Sequence, residues 1–105
     1  MATNSKNLKW LDANDTNVWQ FCILQYKEHK LRMSILVDKN GKYAFPVLIE
    51  IIKEDCMIPI QIAVFYSCWD AVTYCKNLSE EELDTWIEEE ALLPSDVADW
   101  ISEFQ

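Results

Sequence analysis

The chain has 105 residues, enough for one domain, and half of them are apolar, including five Trp, four Tyr and four Phe. That composition supports a buried core and excludes a disordered body. The formal net charge of −9 opposes approach to phosphate backbones, so direct nucleic-acid binding is not expected.

The amino terminus, Met1–Asn7, is polar and has no apolar h-region, so no secretory signal is expected. The richest apolar window, Met57–Tyr66, is too short to span a bilayer and is interrupted by Pro59 and Gln61. No membrane association and a cytoplasmic location follow as expectations. Cys22, Cys56, Cys68 and Cys75 include no C-x-x-C pair, and read as buried thiols in a reducing compartment rather than a disulfide or metal set.

Residues 1–17 read as an amino-terminal arm, in which Leu8, Trp10 and Leu11 form a short apolar cluster that docks on the body. Val18–Tyr26 is rich in aromatic and β-branched residues and suits a strand; a helix from the preceding Asn14–Asn17 caps is the alternative. Leu31–Val37 alternates, with Leu31, Met33, Ile35 and Val37 on one face. Asn40-Gly41 then predicts a type I′ hairpin turn, since both residues tolerate positive φ. The return strand starts at Lys42 and either breaks at Pro46 or runs along an edge, and Val47–Lys53 reads as another strand. Ile58, Ile60, Ile62, Val64 and Tyr66 give the cleanest period of two and read as the main core run. Residues 18–66 are thus predicted as a four-stranded antiparallel meander.

After Tyr66 the period changes to 3.6. Ser67 and Asp70 have the form of a capping box, and Cys68, Ala71, Val72, Cys75 and Leu78 make one helical stripe. Ser79 and Glu82 form a stronger box and open a second helix, with Leu83, Trp86, Ile87 and Ala91 inward. Pro94-Ser95 ends it and caps a third, whose stripe is Val97, Trp100, Ile101 and Phe104. The expected fold class is α+β: a four-stranded sheet followed by about three carboxyl-terminal helices, over residues 67–105, packed on one face.

Catalytic and cofactor motifs are lacking. His29 is the one histidine, zinc-ligand spacing is missing, and the single glycine rules out a phosphate loop. No catalytic, metal or cofactor residues are assigned. A small enzyme working through paired carboxylates is kept only as an alternative, since nothing singles out two acids. The conspicuous feature is residues 79–105, which hold ten of the chain's 18 acids and none of its nine Lys and Arg. The basic Lys27, Lys30, Arg32, Lys39 and Lys42 gather instead around the first hairpin, where they solvate its ends and blunt an edge.

Glu80, Glu81, Asp84, Glu88, Glu89, Asp96, Asp99 and Glu103 are the candidate partner-binding residues. Their helical spacing puts them opposite the apolar stripes, as rows of carboxylates with no interleaved cation. In charge pattern such rows resemble a duplex backbone. The expected partner is a basic, nucleic-acid-binding protein surface, and the expected role is non-enzymatic binding and blocking. By class, the profile is similar to that of small phage-encoded inhibitors, anti-CRISPR proteins among them, and of antitoxin or immunity proteins. The alternative is an assembly subunit, a homodimer for example, pairing through an apolar sheet face of Leu48, Ile52, Met57, Ala63 and Phe65.

Overall fold

The computed structural model describes residues 8–105; the Met1–Asn7 stretch, and the expectation that it holds no signal, lie outside the described residues. Alternating β-branched and aromatic runs form an antiparallel sheet of β1 (Leu11–Asp12), β2 (Val18–Tyr26), β3 (His29–Leu36), β4 (Phe45–Ile52) and β5 (Met57–Phe65). Strands adjacent in sequence are adjacent in space, in the order β1-β2-β3-β4-β5. The helices α1 (Cys68–Lys76), α2 (Glu80–Glu89) and α3 (Pro94–Ser102) follow. The class is α+β, as expected, but the sheet has five strands rather than four. The fifth, β1, comes from the arm: two residues pairing with Phe21 and Gln20, too short to show any alternation. Its neighbours Leu8 and Trp10 pack against the core.

Two turns differ from expectation. The tight hairpin is at Lys27-Glu28, where Tyr26 pairs with His29 and Lys27 adopts φ 54°. Gln25 closes it by donating from Nε2 to the carbonyls of Lys27 and His29, both at 3.0 Å. Asn40-Gly41 does not form a two-residue turn, because β3 stops at Leu36 and β4 starts at Phe45. The intervening loop is built on Asp38, whose carboxylate accepts from the Asn40 and Ala44 amides. Tertiary bonds compete with the local turn preference: Asn40 Nδ2 donates to the Glu103 carbonyl at 2.7 Å, and the Lys39 amide donates to that of Phe104. Pro46 neither breaks β4 nor marks an edge. It is the second residue of an interior strand, buried and paired with Val64, where a missing N–H near the strand start is tolerated.

β5 departs from the strict alternation expected of it. Ile49 pairs with Gln61 but Glu50 pairs with Pro59, so Ile60 is an extra residue and β5 carries a bulge. Each bulge reverses the alternation beyond it. Ile58 and Ile60 face the core as expected, but Phe65 also packs against it, its ring 5.0 Å from that of Tyr74 on α1. Register then places Ile62, opposite Leu48, and Val64, opposite Pro46, on the reverse face. Tyr66 leaves the core run altogether and is exposed. The five residues expected to form an apolar dimer face therefore do not share one face. Phe65 and Ala63 share the helix face, Leu48 is buried, and of the five residues only Met57 is exposed.

The main core lies between one face of the sheet and α1 and α2. Cys22, Leu31, Met33, Ile35, Val47, Ile49 and Ile51 meet Ala71, Cys75, Leu78 and Leu83 there. Ser67 caps α1 through the Asp70 amide, without the reciprocal bond of a full box. Ser79 and Glu82 do form both halves of theirs. Two terminus details differ from the sequence reading. Ala91 lies beyond α2 and is exposed, and α3 has Leu93 at its N-cap, Pro94 at its first position and no side-chain cap from Ser95.

α3 is seated apart from that core. Buried Val97 of α3 and Phe104 just beyond it stand outside the core cluster, α3 touches β5, and the end of the chain bonds to the β3–β4 loop. On the reverse face Ser34, Leu36, Pro46 and Leu48 are all buried, which requires cover on that side. Among the described elements, α3 is the one positioned to supply it. Phe104→Ala should therefore cost about 3–5 kcal/mol in urea unfolding. Trp69→Ala, at a side chain 75% exposed, should stay within about 0.5 kcal/mol. Equal effects would remove the assignment of Phe104 to a second core.

Candidate acidic interface and the sheet-end cavity

The eight acids expected to face a partner are all exposed, on helices whose apolar residues are seated in the fold. In α2, buried Leu83 and half-buried Trp86 and Ile87 orient the acids outward; Val97 in α3 and Phe104 just beyond it do the same. The carboxylates hence hold helical spacing rather than sampling a tail. The first-turn acids Glu80, Glu81, Glu82 and Asp96 complement the helix dipoles. Glu88, Glu89 and Glu90 lie at the opposite end of α2, where negative charge is disfavoured, and neither α2 nor α3 has a basic residue in its last turn. In α3, Asp96, Asp99 and Glu103 are three and four residues apart, a spacing at which like charges cost roughly 0.2–0.5 kcal/mol per pair at low salt.

The eight are not equivalent. Asp84 is used by the fold: it accepts from Tyr26 Oη at 2.7 Å and pairs with Lys27 Nζ at 3.0 Å. The Tyr26 hydroxyl, then the Lys27 ammonium, hold its carboxyl below the usual Asp range. Burial, then the Asp84 bond, pushes Tyr26 upward, and the Asp84 bond raises Lys27. Glu103 makes a loose approach to Lys42 Nζ at 3.9 Å. Glu82 is committed to the Ser79 cap. Among the described residues, Glu80, Glu81, Glu88, Glu89, Asp96 and Asp99 have no ion-pair partner.

Three of the other basic residues make contacts of a different kind. Lys39 Nζ donates to Asn17 Oδ1 at 2.7 Å, Lys42 lies over the Phe104 ring, and Arg32 stacks on Phe21. Cys22 and Cys75 are core residues whose thiols burial pushes up to about 12, so they stay neutral at pH 7. Cys56 is exposed, against the expectation of a buried thiol, and Cys68 is half-buried. No three His, Cys, Asp or Glu among the described residues are placed to hold a metal. No described helix is long and apolar enough to cross a membrane.

A second feature escaped the sequence reading. At the end of the sheet where β2 and β4 begin, a cavity of about 630 Å³ is lined by Trp19, Asp38, Tyr43, Phe45 and Tyr66, among others. Trp19 is the extra residue of a bulge in β2, and its ring meets Phe45 edge-on at 6.3 Å. Tyr43 is 86% exposed and sits at φ 57°, a conformation costing of order 1–3 kcal/mol for a side chain of this kind. Its own packing does not offset that cost. Sequence offered only the bare presence of aromatics, since their convergence depends on a bulge and on a loop without periodicity.

The Tyr26–Asp84–Lys27 contact sets a pH dependence. Because the folded-state pKa of Asp84 is depressed, its contribution is complete above the ordinary Asp value near 4, and is lost as pH falls through the lower folded value. Asp84→Asn should lower the urea midpoint at pH 7, and the gap to wild type should close toward pH 3. A gap independent of pH would show that the carboxylate charge is not what matters. No family model, no curated protein and no solved structure matches the chain.

Proposed function

We propose that the protein is a non-enzymatic interaction protein that docks the acidic faces of α2 and α3 on a basic surface of a nucleic-acid-binding partner and blocks it. The observation that carries this reading is the set of exposed, cation-free carboxylates Glu80, Glu81, Glu88, Glu89, Asp96 and Asp99 on two ordered helices. Solubility alone would be served by mixed charges, which also relieve repulsion within a helix. Here repulsion is left standing, and Glu88 and Glu89 also oppose the dipole of α2. Fixed rows of carboxylates present to a cationic cleft what a phosphate backbone presents, and would steer association in a salt-dependent way.

The charge is also separable from the fold. Leu83, Val97 and Phe104 hold the helices from beneath, and of the candidate acids only Asp84 has a close bond to the body. A variant carrying Glu81→Lys, Glu88→Lys, Asp96→Lys and Asp99→Lys, with Asp84 untouched, should fold with unchanged circular dichroism. Affinity capture by wild type should retain a basic protein that elutes as salt rises and is displaced by duplex DNA. The variant should lose association rate by about 10–1,000-fold, the range electrostatic steering supplies. Equal capture by the folded variant, or capture indifferent to both salt and DNA, would sink the proposal.

A further inference from the structure

The cavity at the sheet end has the chemistry of a cation site. Four aromatic residues, Trp19, Tyr43, Phe45 and Tyr66, line it together with the acidic Asp38. The ring faces are electron-rich and attract cations. The Ala44 amide above all, with the Asn40 amide, holds Asp38 below the usual carboxylate range, so it is a fixed negative charge in the wall. Lys39 is directed elsewhere, its Nζ bonding Asn17 Oδ1, while Lys42, whose ammonium lies over the Phe104 ring, also helps to hold Asp38 low by its charge. The chain as a whole carries −9. Two of the rings, those of Tyr43 and Tyr66, are largely in water, 86% and 73% exposed, and Tyr43 is presented from a strained backbone. Strain that the side chain's own packing does not offset points to a use outside the fold.

We propose that this cavity is a binding site for an arginine side chain of the protein's partner, its guanidinium stacked among the four rings and paired with Asp38. Arginine fits better than lysine on physical grounds. Its planar, weakly hydrated guanidinium stacks on aromatic faces and presents several donors to a carboxylate. The Asp38 carboxylate accepts the Asn40 and Ala44 backbone hydrogens, and a carboxylate offers about four lone-pair sites in all. A volume of about 630 Å³ lies within the range of ligand pockets. The source of the arginine rests on the reading above that the partner is basic; the cavity's preference for the group is testable without that partner.

The test uses the full chain, ¹⁵N-labelled, titrated with capped Gly-Xaa-Gly tripeptides centred on arginine, citrulline or leucine. The arginine peptide should shift the Trp19 indole N–H and the Asp38, Tyr43 and Ala44 amides saturably. Citrulline, which has nearly the same shape without the charge, should bind about tenfold more weakly. Tyr43→Gly should weaken arginine binding by about tenfold while raising Tm, because glycine relieves the positive-φ strain. An equal response to citrulline or leucine would overturn the cation assignment, and no saturable response at these positions would overturn the site. A fall in Tm for Tyr43→Gly would make Tyr43 structural and remove the strain argument. Concentration-dependent shifts of the same signals without peptide would assign the cavity to a second copy of the chain, and so overturn the proposal. Glu81→Lys, in the turn of α2 that contacts Tyr26 at the opposite end of β2 from Trp19, should leave tripeptide binding within about twofold of wild type, a short-range contact being little affected by distant screened charge, so the cavity and the acidic interface can fail separately.

Discussion

One extra residue in β5 decides how the whole sheet is covered. Without the bulge at Ile60, a strict alternation from Ile58 to Tyr66 would put one apolar set against the helices and leave the other for solvent or a partner. With it, Ile58, Ile60 and Phe65 all reach the helix side, and Ile62 and Val64 join Leu48 and Pro46 on the other. Both faces of the sheet thus carry apolar side chains near this edge. At about 25 cal/mol per Å² of apolar surface, leaving either bare is unfavourable. α1 and α2 satisfy the first face. α3, touching β5 and bonded at its far end to the β3–β4 loop, is the remaining element that can satisfy the second.

That arrangement explains why a chain this acidic keeps its carboxyl-terminal quarter folded. α2 is held by Leu83 in the main core and by the Asp84 contact to Tyr26 and Lys27. α3 is held by Val97 and Phe104, and by the carbonyls of Glu103 and Phe104 that receive hydrogen bonds from Asn40 and Lys39. The anchoring is mainly apolar or backbone in character. Exposed ion pairs contribute at most about 1 kcal/mol each, so packing rather than charge pairing determines that these helices are ordered. The acids outside Asp84 and Glu82 are consequently free to vary with the needs of a surface.

Much of this was legible in the sequence, for local reasons. Val18–Tyr26 forms β2 with the bounds its composition suggested. The Cys68-to-Leu78 stripe and the Ser79–Glu82 box mark α1 and α2 correctly because capping and helical periodicity are short-range effects. What was not legible depends on residues distant in the chain. Asn40-Gly41 has hairpin chemistry, yet Asn40 serves the end of α3, 63 residues away. Lys27, an unpromising turn residue, takes positive φ because β2 and β3 meet there. A bulge leaves no mark in a run of Ile residues, since Ile60 and Ile62 look alike whichever face each takes. For the acidic surface, the sequence marked the residues but not the distinction between Asp84, bonded into the fold, and its free neighbours.

The two candidate surfaces meet at one loop. Asp38 organises residues 38–44 through the Asn40 and Ala44 amides and is also one of the residues that line the aromatic cavity. Asn40 and Lys39, within that loop, hold the end of α3, and Lys42 leans on the Phe104 ring and toward Glu103. The shape of the cavity therefore depends on how α3 is seated, and the position of the α3 acids depends on the loop that shapes the cavity. A partner that touched the α3 acids could reach the cavity without crossing the sheet. Because the cavity wall and the α3 anchor share Asp38 as their organising residue, a change there should disturb both, whereas a change at Tyr43, which is exposed and bonded to neither, touches the cavity alone.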